Sequence, residues 1–147
     1  MSVLAPIPAV DRDGSDTRAD VHPPTSASVT ALLDQARNGL AEAEWEFDAA
    51  ERFAKGYLAA LRTAAAMLAL GGRPHRGRSR PTSAWLLLAK VAPELAEWAA
   101  FFASISGTAA AVRAGITGKV TARDADDLTR QTGLFLSLVE CAVRAGN

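Results

Sequence analysis

From Ala50 to Leu68 apolar residues recur every three or four positions without a break: Ala50, Phe53, Ala54, Tyr57, Leu61, Ala64, Ala65 and Leu68. That period puts them on one face of an α-helix of about five turns and is foreign to a strand, whose side chains alternate with a period of two. The ends are marked as firmly. Asp48-Ala49-Ala50-Glu51 sets an oxygen acceptor three residues before a carboxylate, the reciprocal capping pattern of a helix start. Gly71-Gly72, with Pro74 beyond, supplies a left-handed cap and then a residue that cannot continue the helix. A helix this long and this one-sided must bury its stripe against other elements, and the rest of the chain shows which.

The same period appears three more times. A helix is expected to begin near Ser28, with Val29, Leu32, Leu33, Ala36, Leu40 and Ala43 on one face, and to end in the acidic stretch Glu42 to Asp48. After residue 80, Thr82 or Ser83 caps a short helix, Ala84 to about Val91. Pro93 then breaks the chain and opens a new helix, with Glu94 and Glu97 near its positive end. Leu95, Trp98, Phe101, Phe102 and Ile105 form its stripe, which runs to Ala114 or pauses at Gly107. Thr121-Ala122-Arg123-Asp124 starts the final helix, with Ala125, Leu128, Thr132, Phe135, Leu138, Val139 and Ala142 facing inward. Val, Ile and Thr never alternate over a strand length, so no strand is expected.

These elements predict an all-α fold, an antiparallel four- to five-helix up-down bundle over residues 28–147. Residues 1–27 hold four of the seven prolines and four aspartates, and read as a disordered tail with too little apolar surface to offset its ordering entropy. In an up-down bundle the first and third connections share an end. That end gathers Glu42, Glu44, Glu46, Asp48, Asp124, Asp126 and Asp127, and the connection between the second and third helices lies at the other.

This other connection contains Arg73-Pro74-His75-Arg76-Gly77-Arg78-Ser79-Arg80, four arginines in eight residues of a chain with 16 basic and 16 acidic groups. Guanidinium groups suit bidentate phosphate contact, so Arg73, Arg76, Arg78 and Arg80 are the candidate phosphate or nucleic-acid ligands; a solubilising connector would look much the same. His75 among them is a candidate acid or base, although the arginines depress its proton affinity. The zero net charge argues against a broadly polyanion-coating protein.

Other chemistry is poorly represented. The single cysteine, Cys141, excludes an internal disulfide and is expected to be a small buried residue. No metal-ligand spacing, GxSxG or GxGxxG occurs, so no metal and no cofactor is expected. Gly115-Ile116-Thr117-Gly118-Lys119-Val120 lacks the spacing and the hydroxyl of a phosphate loop. The start of the chain lacks a secretory signal and no apolar stretch approaches the ~20 residues of a membrane span, so a cytoplasmic location and no membrane partner are expected. Arginine outnumbers lysine 13 to 3, the usage of a GC-rich bacterial genome.

Two stretches, Glu51-Arg52-Phe53-Ala54-Lys55-Gly56-Tyr57-Leu58-Ala59-Ala60-Leu61-Arg62 and Ser83 to Trp98, resemble an actinobacterial subfamily of HEPN domains (higher eukaryotes and prokaryotes nucleotide-binding), with a third similarity from Thr121 to Glu140. Together they cover roughly residues 29–143. The resemblance implies a helical bundle, frequent homodimerisation, and a link to RNA, nucleotides or a cognate protein partner. Many HEPN domains are metal-independent ribonucleases built on an Arg followed after four to six residues by His. Here Arg52 is followed at the matching distance by Tyr57, a phenol titrating near ~10 and a poor base at neutral pH. Arg52, Tyr57 and His75 are therefore only weak catalytic candidates. The expected function is a non-catalytic domain that binds RNA, a nucleotide or a protein; the alternatives are a toxin-like HEPN ribonuclease and a purely structural or regulatory interaction module.

Overall fold

The computed structural model describes residues 13–71 and 81–146, with side chains from residues 27–71 and 84–146. Among the described residues six α-helices follow in order: α1 Asp13–Trp45, α2 Ala49–Leu70, α3 Pro81–Val91, α4 Ala96–Ser104, α5 Ser106–Arg113 and α6 Ala122–Gly146. A 3-10 turn, Pro93–Leu95, leads into α4. No strand occurs among the described residues, and the architecture is the expected all-α bundle.

Both locally encoded helix starts form. The Asp48 side chain accepts from the Glu51 amide at 3.0 Å at the head of α2. At α6 the exchange is reciprocal: the Asp124 amide donates to Thr121 Oγ1 and the Thr121 amide to Asp124 Oδ2, both at 3.0 Å. Those bonds from Thr121 hold the Asp124 carboxyl below its ordinary range. With the folded value depressed, the contribution is complete above the ordinary carboxylate range and is lost as pH falls through the folded value. Thr121→Ala is expected to lower unfolding free energy by about 1 kcal/mol in denaturant titrations.

Other boundaries differ from expectation. Helical backbone in α1 begins at Asp13 rather than near Ser28 and passes through Pro23 and Pro24, so the carbonyls of Ala19 and Asp20 lack their usual amide donors. Residues 1–12 of the expected tail lie outside the described residues. Helix α3 begins at Pro81, whose fixed φ suits a first helical position, so Thr82 and Ser83 are inside the helix rather than its cap. The pause in the α4 stretch falls at Ile105, where the axis bends by 40°, and Gly107 sits within α5. Gly71 is not left-handed; its φ is −82°. A Cβ there would meet Val91 Cγ1 at 3.1 Å, so this glycine serves close approach between α2 and α3.

Helix α2 is central, packed by α1, α3, α5 and α6. Helix α6 runs in the same direction as α2: Asp126 faces Arg52, Thr132 Oγ1 donates to the Gly56 carbonyl at 3.3 Å, and Val143 packs with Ala66 and Ala69. A Cβ on Gly56 would lie 3.3 Å from Thr129 Cγ2, so glycine there lets the two helices close up. Helix α1 runs the other way, with Arg37 paired to Glu140 and Val29 beside Ala66. So does α4, whose Phe101 lies near Phe53 while the preceding Leu95 lies near Met67. These four alternate up and down as expected.

Helix α3 does not simply continue the alternation. Trp85, near its start, reaches Tyr57 near the middle of α2, and Val91 at its end sits against Gly71 beyond the end of α2. The two helices thus share a direction, and the ends of their connection lie at different levels of the bundle. The connection itself, residues 72–80, on which the expected basic pole rested, lies outside the described residues. The carboxylate-rich end does assemble, as the Arg52–Asp126 pair shows, with part of its charge locally matched: Glu46 by Lys55 (2.8 Å), Asp126 by Arg52 (3.2 Å) and Asp127 by Arg130 (3.4 Å).

The core is an aromatic layer between α2, α3, α4 and α6. Trp85 stacks on Phe102 with centroids 4.9 Å apart, Phe102 meets Phe135 at 5.1 Å, and Trp98 meets Phe135 at 5.7 Å. On α6 Leu136 is buried against α1 and α2, whereas Leu138, expected inside, is 44% exposed. Helix α6 packs lengthwise on α1 as well as α2, so its buried stripe turns toward α1. Cys141 is also exposed rather than buried, on the outer face one turn beyond Leu138, with Arg144 Nη2 3.3 Å from its sulfur. By length and composition α2 does qualify as a membrane span, contrary to the sequence reading, but 56% of its apolar window is buried inside the bundle, as befits a core helix.

Candidate functional site

Arg52 and Tyr57 stand about one and a half turns apart on α2, and each is engaged with its neighbours. The Arg52 side chain lies over the turn between α1 and α2. Its Nη1 donates to the Glu46 carbonyl at 2.7 Å and to the Phe47 carbonyl at 3.3 Å, satisfying acceptors that the end of α1 leaves open. Its Nε is 3.2 Å from Asp126 Oδ1, close enough for an ion pair, yet the N–H is not aimed to make a hydrogen bond. Arg52 thereby ties the α1–α2 turn to the first turns of α6.

Tyr57 points inward and is 2% exposed. Its hydroxyl oxygen accepts from Trp85 Nε1 at 2.9 Å, the polar contact that lets the indole sit in the apolar core. Burial pushes the phenol above its ordinary value, with the Trp85 N–H and the Ser106 hydroxyl offsetting part of the rise. A phenol so placed is even less ionised at neutral pH than a free tyrosine, and it has no open path to a substrate.

Arg73, His75, Arg76, Arg78 and Arg80 lie outside the described residues. Among the described residues no group of three or more His, Cys, Asp or Glu side chains is placed to hold a metal ion. Lys55, whose ammonium is 2.8 Å from Glu46 Oε2, is held above its ordinary value chiefly by that hydrogen bond. Beside it Trp45 and Phe47 stand 88% and 97% exposed on the same turn. Sequence reasoning passed over them; two aromatics alternating with Glu44, Glu46 and Asp48 outside any apolar stripe were the available signal.

The model of the SAV_6107-like HEPN family matches residues 43–140, two-thirds of the chain and nearly everything from α2 to the last turns of α6. The chain belongs to this family. Its HEPN membership links it to nucleotide- or RNA-related, ribonuclease-like biology, in line with the resemblance carried by Glu51 to Arg62 and by Ser83 to Trp98. Most of α1 lies outside the matched span. No curated protein and no solved structure matches the chain.

Proposed function

We propose that this HEPN domain is non-catalytic and acts by binding, with a protein the partner that its described surface suits best. The observation that carries this reading is the engagement of the Arg52–Tyr57 pair. The arginine secures an inter-helix turn and the tyrosine is buried as the hydrogen-bond partner of Trp85, so neither is presented to a scissile phosphate. Four concavities among the described residues are each lined by at least one carboxylate, which disfavours a polyanion there. The homodimer implied by the resemblance belongs to the same proposal, as does a cytoplasmic location with α2 serving as a core helix.

RNA or nucleotide binding is the second reading, favoured by the four arginines between Arg73 and Arg80. It requires retention on RNA that weakens steeply with salt, in proportion to the phosphates neutralised. Incubating the full chain with mixed RNA in EDTA tests the proposal. No cleavage is expected. Metal-independent cleavage that disappears in His75→Ala or Tyr57→Phe would establish the ribonuclease instead.

A further inference from the structure

We infer that the groove between α4–α5 and α6 is a docking site for a basic amphipathic helix of a protein partner. This rests on the binding reading above and names the surface and the chemistry of the partner. The two walls run antiparallel, yet their backbones barely approach one another, because Trp98 and Phe135 stand between them. Along the seam lie three concavities of about 310, 330 and 310 Å3, running from Asp124 past Gln131 to Ala142. That stretch of α6 rises roughly 27 Å, the length of a five-turn helix.

The groove is apolar toward its Leu95–Leu138 end, carries the polar Glu97 and Gln131 at its middle, and is acidic along its edges. Leu95 and Trp98 form its floor, and Phe101 and Leu138, 37% and 44% exposed, stand at its sides. Single exposed apolar residues are ordinary on a protein surface; Phe101 and Leu138 with the half-buried Trp98 between them, along one antiparallel seam, offer apolar contact to one face of a helix. Among the described residues four carboxylates and one lysine line the three concavities. Asp124 is occupied in its helix cap and Asp127 lies beside Arg130, but Glu94 and Glu97 have no ion-pair partner among the described residues. This balance selects the occupant. Nucleic acid is repelled, and a second copy docking symmetrically would set these same carboxylates against each other. A helix carrying Lys or Arg beside its apolar stripe meets both the floor and the rim.

The test uses the full chain and two labelled synthetic 18-residue amphipathic helices with identical leucine faces, one with a lysine polar face and one with a glutamate polar face, followed by fluorescence anisotropy. Saturable binding of the lysine peptide is expected, with the glutamate peptide at least about tenfold weaker. The double variant Glu94→Lys, Glu97→Lys reverses that preference. Leu138→Asp weakens the lysine peptide about tenfold, while Leu86→Asp, at a 63% exposed position on α3 outside the groove, leaves it unchanged. Circular dichroism on each variant confirms that the bundle is intact. Equal affinity for the two peptides, no saturable binding, or equal losses in the Leu86 and Leu138 variants overturns the inference. So does a dimer in sedimentation that Leu138→Asp splits, since a second copy would then occupy the groove. RNA cleavage in EDTA, read separately, removes the non-catalytic reading without deciding the groove.

Discussion

Replacing Trp85 by alanine is expected to remove about 3–5 kcal/mol of stability, the largest effect of any single truncation in this bundle. The side chain is 1% exposed and touches three aromatic partners: Phe102, Phe135 and Tyr57. Its loss removes the stacking with Phe102 and leaves a void where α2, α3, α4 and α6 meet. It also strips the buried Tyr57 hydroxyl of its donor. Domains of this size are stable by about 5–15 kcal/mol, so the variant should melt well below the parent in thermal denaturation. Tyr57→Phe separates the packing from the hydrogen bond, because it keeps the ring and leaves the indole N–H unpaired, at a cost of about 1–3 kcal/mol.

The Tyr57 variant has a second readout. The folded phenol titrates above its unfolded value, so its contribution is fully present below about pH 10 and is lost as pH rises through the folded value. The parent should therefore lose stability in that alkaline interval, and Tyr57→Phe should flatten this part of the profile. A tyrosine working as a solvent-facing base would leave no such signature on stability.

Arg52→Ala is the second large expectation, a loss of about 2 kcal/mol, because charge-assisted bonds to two backbone carbonyls disappear together. Arg52→Lys should recover only part of it, since one ammonium cannot reproduce the fork that reaches Glu46 and Phe47. Chemical denaturation of both variants checks this. If either abolished an RNA-linked phenotype while stability stayed at the parent value, Arg52 would be contacting a ligand and the structural assignment would fall.

The features legible in the sequence were those encoded within a turn or two. Asp48 with Glu51, and Thr121 with Asp124, specify their caps through residues three apart, and the stripe of α2 depends only on its own period. Features set by a neighbouring helix were not legible. Gly71 carries the chemistry of a left-handed cap, but its role is decided by Val91, twenty residues on. Which leucine of α6 turns inward, Leu136 or Leu138, depends on where α1 lies. The direction of α3 follows from Trp85 finding Tyr57, a pairing that helical period cannot foretell. For the candidate site, the spacing from Arg52 to Tyr57 could be read directly, but the engagement of both residues elsewhere could not. Glu94 and Glu97 read simply as acids at a helix start, and their place on a groove became visible only with α6 beside them.

Helix α6 packs lengthwise on both α1 and α2, and this has a bearing on how the chain is made. On the ribosome the α1–α2 hairpin emerges first, while the strip it will share with α6 stays uncovered until some seventy-five further residues have been added. At ordinary elongation rates that interval is roughly 4–15 s, long compared with hairpin collapse. The nascent hairpin therefore passes through a period in which Leu40, Gly56 and Ala66 face water, and a chaperone, or an early-arriving partner, has its opportunity then.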